Sequence, residues 1–284
     1  MSVIFCDSNC ELWYNILEEN KVRLIKMPYT LDGVEYFYDC GKKTDFDHFY
    51  KRVREKSLPT TSALNIYNYV EIFEPFFAAG DDILYISFSS HMSDTFSNLD
   101  DALKDLKFKY PKTKFIRFDT MNISIGAGIL VYHAIKLKNQ GKSNEEIVQA
   151  LTALRNKVCV YVVVDDLNHL RRGARLSGAA AFFGNIMDVK PVLSVINGKL
   201  EPVTKIKGRQ NAITDVLNKF AINWDKNYKE VWLLGADCDE DLERYSQAIK
   251  TKFGTLIDLK VQSIGPVIGS HCGPDSIAIF FMKK

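Results

Sequence analysis

The chain has 284 residues, 46% of them hydrophobic and 25% charged, and a formal net charge of +2. That length exceeds one average domain and carries enough apolar material for a sizeable core without disulfide or metal staples. A charge so near balance excludes nucleic acid or an anionic membrane surface as the default partner.

The six cysteines (Cys6, Cys10, Cys40, Cys159, Cys238 and Cys272) form no C-x-x-C pair. Scattered in this way they read as reduced thiols. The first residues turn polar too early for a secretory signal, and no apolar run reaches the roughly 18 residues of a membrane span. The expectation is a cytoplasmic protein with no integral membrane association.

In chain order, Val3-Cys6 is an apolar run followed by Asp-Ser, Ile83-Phe88 is followed by Ser-Ser-His-Met-Ser, and Lys114-Phe118 is followed by Asp-Thr. After the last two, helical periodicity begins: Phe96, Leu99, Leu103 and Leu106 fall on one face, as do Ile129, Leu130, Ala134 and Leu137. Strand, polar loop and helix in repetition predict a parallel sheet with helices on its faces, whose ligands bind at the strands' carboxyl ends. Ser143 with Glu146 reads as a capping box for a helix running to about Asn156.

Val158-Val164 is continuously apolar and β-branched, as a buried strand would be. Pro191-Ile196 and Lys199-Ile206 flank Asn197-Gly198, a strong hairpin signal. Asn211-Phe220 with Val231-Leu234, and Glu240-Phe253 with Leu256-Val261, are helix–strand passages, and Ser276-Met282 is a final strand. The expected fold class is therefore α/β with two domains. Residues 1–156 form a parallel-sheet α/β/α domain, and 157–284 form an α/β domain with a mixed or largely antiparallel sheet.

Five polar stations carry the chemistry. Pro59-Thr60-Thr61-Ser62 precedes a helix whose apolar face is Ile66, Val70, Phe73 and Phe77. Thr61 or Ser62 reads as its N-cap, and a hydroxyl beside free helix N–H groups is also an anion seat. Ser89-Ser90-His91-Met92-Ser93-Asp94-Thr95 joins a strand end to a helix start, with Ser93 or Asp94 as the capping residue. Asp119-Thr120 leads to Ser124, Gly126 and Gly128, whose spacing suits close helix packing and is not the dinucleotide pattern.

Leu170-Arg171-Arg172-Gly173-Ala174-Arg175 places three arginines in five residues, and guanidinium favours carboxylate and phosphate partners. Ile264–Pro274 is a glycine-rich turn carrying His271; a lone histidine is more often structural, but the backbone of this turn is too specialised to be filler. There is no G-x-S-x-G elbow, Walker A loop or H-E-x-x-H, and no metal-ligand spacing. Hydroxyls, histidines and arginines without an activated nucleophile are anion-holding groups. Neither a catalytic residue, a metal nor a cofactor is expected, and the reading is of a binding protein and not an enzyme. A hydrolase using Ser93 with His271 is the catalytic alternative.

Taken in order, these stations resemble the DegV family over essentially the whole chain. The matching elements are Asp7-Ser8, Thr61-Ser62, Ser89-Ser90-x-x-Ser93-x-Thr95, Asp119-Thr120 with Ser124/Gly126/Gly128, and Asp166-Leu167-x-x-Leu170-x-Arg172-Gly173-x-Arg175. Lys190-Pro191, Lys207-Gly208-Arg209 and Gly265-Pro266-Val267-Ile268-Gly269-x-His271-x-Gly273-Pro274 complete the set. The chain departs from the family pattern at Asp94 and Asp275, where the family commonly has glycine, and at Ala174, where it usually has a second glycine.

The resemblance implies a long-chain fatty acid, such as palmitate, stearate or oleate, held in a buried tunnel between or within two α/β domains. Its carboxylate would sit against Thr61, Ser93, His271 and Arg175, with Ser62, Thr95, Ser124 and Arg172 as additional candidates. Apolar candidates for the tunnel are Met27, Phe88, Met92, Phe96, Ile125, Leu130, Phe182, Phe183 and Ile268. In one branch of the family the protein is the fatty-acid-binding subunit of a bacterial fatty acid kinase. An ATP-binding fatty acid kinase subunit phosphorylates the presented carboxylate there, and the acyl phosphate feeds phospholipid synthesis. Arg171 and Arg172 are the candidates for meeting that partner. A lipid store or sensor without a kinase is the non-catalytic alternative.

Overall fold

The computed structural model describes residues 2–172 and 189–284. They divide into two compact units, Met1–Thr44 with Thr60–Arg155, and Asp45–Pro59 with Asn156–Lys284. The partition is discontinuous in sequence, because the short segment Asp45–Pro59 folds with the second unit.

The first half of the chain runs β1 (Ser2–Asp7), α1 (Tyr14–Glu19), β2 (Arg23–Ile25), β3 (Pro28–Leu31), β4 (Val34–Phe37) and α2 (Phe46–Arg54, in the second unit). It continues with β5 (Thr60–Thr61), α3 (Ile66–Ala78), β6 (Asp82–Ser87), α4 (Thr95–Lys109), β7 (Phe115–Asp119), α5 (Ile125–Asn139) and α6 (Asn144–Arg155). Strands β2-β1-β6-β7 form a four-stranded sheet, parallel throughout. Burial on both faces explains why Val3-Cys6, and Ile83-Phe88 but for Ser87, read as apolar runs without alternation.

The strand order reverses between β1 and β6, so the carboxyl ends of those two strands are the topological switch point where such sheets bind ligands. A separate three-stranded antiparallel sheet, β4-β3-β5, uses Thr60 and Thr61 as its short third strand.

The expected helix faces are present. Phe96, Leu99, Leu103 and Leu106 of α4 are buried, and Ser143 and Glu146 exchange both bonds of the capping box, at 2.8 and 3.2 Å. The N-cap of α3 is a correction. Neither Thr61 nor Ser62 caps it; Asn65 does, accepting from Asn68 N at 2.9 Å while Asn68 Oδ1 accepts from Asn65 N at 3.0 Å. The reason is local: Thr60 and Thr61 have backbone partners in β3, so the helix cannot begin until the chain leaves that sheet.

The second unit adds β8 (Val158–Val163), α7 (Leu167–Arg172), β9 (Val189–Ile196), β10 (Lys199–Lys207), α8 (Arg209–Asn223) and β11 (Glu230–Gly235) to α2. It closes with α9 (Asp239–Phe253), β12 (Asp258–Ser263), α10 (Pro266–Cys272) and β13 (Ile277–Met282). Its six-stranded sheet has the order β10-β9-β8-β13-β11-β12, with β11 and β12 parallel and the other pairs antiparallel.

The hairpin forms as its turn dictates: Ile196 pairs with Lys199, and Asn197 and Gly198 take φ of 50° and 79°, as a two-residue turn of that twist requires. Phe220, Trp224, Phe281, Val163 and Val231 lie at the centre of the core. The glycine-rich segment before Pro274 is not a turn but the helix α10. Pro266 sits in its first turn, where no backbone N–H is needed.

Helix α2 packs against α10 within this unit. Phe49, Tyr50 and Val53 are its buried face, Tyr50 donates to the Ile264 carbonyl at 2.7 Å, and Tyr50 Oη lies 2.6 Å from where a Cβ on Gly269 would stand.

Candidate ligand-binding site

At the switch point, β1 ends in Asp7, which is fully buried and accepts from Tyr85 Oη at 2.9 Å, Phe88 N at 3.1 Å and Asn9 N at 3.1 Å. One carboxyl thus ties the end of β1 to the loop leaving β6. Burial, reinforced by the Cys10 thiol, pushes Asp7 up to about 7 against those three donors. The next residue, Ser8, accepts Met27 N on its hydroxyl at 2.9 Å and so fixes the start of β3.

The loop after β6 makes one turn of 3-10 helix, Ser90–Met92, before α4. Asp119, at the end of β7, accepts from Ser90 Oγ at 2.5 Å and from Met121 N at 2.7 Å, holding that turn. Asp94 holds the N-cap position, and Ser93, half-buried just before it, accepts the Thr95 N–H on its hydroxyl at 3.2 Å. Asp94 is exposed and makes no capping bond with its side chain. Its charge stands at the N-terminus of α4, where the helix dipole favours an anion.

Thr95 is buried and its hydroxyl lies 2.9 Å from Tyr69 Oη on α3. Asn98 Nδ2 donates to the Leu64 carbonyl at 2.8 Å. One of these bonds ties Leu64, and the other Tyr69 of α3, to the first turn of α4, so the segments carrying Thr61 and Ser93 are neighbours in one unit. Thr61 is half-buried in β5 opposite Tyr29, and Ser62 is exposed.

Ser124 sits differently from the other hydroxyls. It is buried at φ 53°, and its Oγ donates to the buried carboxylate of Glu11, so the chain's own side chain takes the bond that a ligand carboxylate would need. The two glycines that follow serve packing: a Cβ on Gly126 would meet Asn122 Oδ1 at 2.0 Å, and one on Gly128 would meet the Cys10 carbonyl at 2.5 Å.

In the second unit His271 is half-buried on α10. His169 of α7 is buried and donates from Nε2 to the Ser270 carbonyl at 2.9 Å, leaving Nδ1 to accept Arg172 Nη2 at 3.5 Å. Burial, with Arg172 adding, holds this imidazole below its ordinary value. Arg172 is exposed. Arg175, Ala174, Phe182 and Phe183 lie outside the described residues. Among the tunnel candidates Met27, Phe88, Phe96, Ile125 and Leu130 are buried, and Met92 and Ile268 are half-buried.

The lysine and arginine motifs that flank the hairpin have a structural use. Arg209 pairs with Asp241 at 2.6 Å and with Asp165 at 3.4 Å, and Lys190 pairs with Asp165 at 2.9 Å. Arg54 of α2 binds Asp275 at 2.9 and 3.0 Å and the Asp237 carbonyl at 2.7 Å, as well as the Asp237 carboxylate. Asp275 therefore has a partner that a glycine there could not supply.

Among the described residues no group of three or more His, Cys, Asp or Glu is placed to hold a metal ion, and no helix is long and apolar enough to cross a membrane. Sequence reasoning passed over Glu11, Tyr69 and Tyr85. Each is a lone polar residue whose partner lies far along the chain, and only the unassigned charge of Glu11 next to the Asp7-Ser8 motif hinted at a role.

A parallel sheet whose switch point is lined by serine and threonine hydroxyls, joined in one chain to a mixed-sheet α/β unit, defines a two-domain protein of the DegV fold. The chain belongs to the DegV family: the profile described as "Uncharacterised protein, DegV family" matches residues 1–284. It is 34% identical over 284 residues to a DegV domain-containing protein of Clostridium perfringens, covering 99% of this chain and 97% of that one.

Among solved structures it resembles a DegV of Bacillus subtilis described as a fatty acid binding protein, with 26% identity, a TM-score of 0.85 and 99% of each chain covered. It also resembles a stearic acid-binding protein of Eubacterium ventriosum, with 22% identity, a TM-score of 0.87, and 100% and 99% of the two chains covered.

Proposed function

We propose that this protein takes up a long-chain fatty acid in a buried tunnel and presents its carboxylate to a separate ATP-dependent fatty acid kinase subunit, which forms the acyl phosphate. The reading rests on one observation above the others. The segments bearing Thr61 and Ser93 are fastened together near the switch point of a sheet whose fold is shared with proteins described as binding fatty acids. Thr61 and Ser93 hold the carboxylate, with His271 and Arg175 contributing from the second half of the chain and Ser62, Thr95 and Arg172 at the margin. Ser124, bonded to Glu11, supports the loop and does not touch the ligand.

The energetics suit such a ligand. Each buried methylene contributes about 0.8 kcal/mol, so a chain of about 14 methylenes grosses roughly 10 kcal/mol before ordering costs. An unpaired buried carboxylate would cancel that gain, which is why several donors converge on it.

Mass spectrometry of the denatured protein, purified from a bacterial host, is expected to release a long-chain fatty acid. Failure to release one, together with failure to take up added palmitate or oleate, overturns the reading. Ser93→Ala is expected to weaken fatty-acid affinity by roughly 10-fold or more, as loss of a hydrogen bond to a charged group does. Mixing the loaded protein with a candidate kinase subunit and ATP tests the second half: acyl phosphate supports presentation, and its absence across several kinases leaves a lipid store or sensor.

A further inference from the structure

The three-stranded sheet β4-β3-β5 holds Thr61 in its shortest strand, and the register fixes what stands beside that residue. Thr61 is directly opposite Tyr29 on one side of β3, and Tyr36 is directly opposite Tyr29 on the other. Directly opposed residues of an antiparallel pair share a face, with Cβ atoms about 5 Å apart. Tyr36, Tyr29 and Thr61 therefore form one row across one face of the sheet.

The two tyrosines set how that row is turned. Their rings are stacked, with centroids 5.3 Å apart and planes inclined by 17°. That distance is close to the ~4.8 Å between neighbouring strands, so the rings stand face to face along the hydrogen-bonding direction. One face of the Tyr29 ring is covered by Tyr36, and the other is turned toward β5, where Thr61 stands. Tyr29 is only 6% exposed, whereas Tyr36 on the edge strand is 37% exposed.

The same face runs on toward the switch point. Tyr38 N donates to the Met27 carbonyl at 3.0 Å, which extends the β3-β4 ladder by one pair and puts Met27 on the face of Tyr29. Met27 is buried, and its N–H is the one held by Ser8 after the end of β1. From Thr61, an apolar wall of Tyr29 and Met27 leads toward the parallel sheet.

An aromatic face carries the negative part of the ring quadrupole, so it favours C–H groups and repels a carboxylate. Beside a carboxylate seat, such a face sorts the two parts of a fatty acid. The oxygens turn away from the ring to their donors, and the C2 and C3 methylenes lie against it. A hydroxyl at C2 would be pressed on the ring without a partner, at the cost of a buried unsatisfied polar group.

We propose that Tyr29 is a specificity-determining residue of the ligand site, whose ring selects fatty acids unsubstituted at C2 and rejects 2-hydroxy acids. The assignment rests on the fatty-acid reading with Thr61 at the carboxylate, and adds the residue that reads the neighbouring carbon.

Titration of the delipidated full-length chain with palmitate and with 2-hydroxypalmitate tests this, because the two acids differ by one hydroxyl. The wild type is expected to bind palmitate more tightly by about 10-fold or more. Tyr29→Ala is expected to bring that ratio to about 3 or less, and Tyr29→Phe, which keeps the ring, to retain it. A merely structural role for Tyr29 would weaken both acids alike and leave the ratio where it was.

A wild-type ratio near 1, an unchanged ratio in Tyr29→Ala, or a ratio lost in Tyr29→Phe overturns the proposal while leaving fatty-acid binding intact. Uptake of neither acid by the wild type overturns the fatty-acid reading itself. Should Tyr29→Ala fail to fold, the wild type decides. With palmitate labelled with carbon-13 at C2, the bound C2 protons are expected to show nuclear Overhauser contacts to tyrosine ring protons, and their absence overturns the assignment.

Discussion

Asp7 shows what one buried carboxyl does at a strand end. Its two oxygens collect three donors from β1's own turn, from β6 and from the loop after it, and burial still lifts it to about 7. The unfolded chain titrates the same group near about 4, so between the two values the folded chain holds a proton that the unfolded chain has released. Its contribution to stability is therefore complete below about pH 4 and lost as pH rises through about 7, on the order of 4 kcal/mol in all. Urea midpoints for Asp7→Asn, measured from pH 4 to 8, are expected to show that slope flattened. At low pH the variant is less stable, because an amide offers one acceptor oxygen to three donors.

Gly128 makes a second residue-scale case. In an ordinary helix Gly→Ala stabilises by about 1 kcal/mol. Here the new Cβ would stand 2.5 Å from the Cys10 backbone carbonyl, which cannot swing aside as a side chain can. Gly128→Ala is expected to destabilise by roughly 1–3 kcal/mol, read from denaturant unfolding.

At the scale of elements, helix starts in this protein are set by which residue is free to cap. Asn65 and Asn68 exchange both capping bonds on α3, and Asn65→Ala is expected to lower stability by about 1 kcal/mol without altering ligand affinity, checked by unfolding and binding on the same sample. Ser93 differs, since its hydroxyl caps Thr95 N and also stands among the proposed ligand groups, so its alanine variant loses on both measurements. Helix α2 is held to the second unit by Tyr50 at one end and by the Arg54 bonds to Asp237 and Asp275 at the other. These bonds close around α10, the helix that carries His271.

For the whole molecule the decisive property is uptake of an apolar chain. A ligand that binds only the folded state raises stability by about 2.7 kcal/mol at 100 times its dissociation constant. Delipidated protein is therefore expected to melt several degrees below protein reloaded with oleate or palmitate, in a differential scanning experiment. No shift on reloading would count against the tunnel.

The alternation of apolar run, polar loop and helical period, the Asn197-Gly198 turn and the Ser143/Glu146 box are local signals, and each has the form in the structure that its spacing predicts. They are legible because a parallel strand buried on both faces, a two-residue hairpin and a capping box each draw on neighbours within a few residues. Ordered polar motifs, with Thr61, Ser93 and His271 among them, likewise carried the resemblance to the family that matches the whole chain.

What the sequence left open depends on partners distant along the chain. Thr60 and Thr61 pair with β3 and so displace the α3 cap to Asn65, and Glu11 claims the hydroxyl of Ser124. The segment Asp45–Pro59 folds with a unit whose remaining residues begin at Asn156. Cys40 reaches the Ser8 carbonyl across 32 residues. Local sequence encodes backbone propensity and facing, whereas the identity of a buried polar group's partner is decided only when the tertiary fold brings the two together.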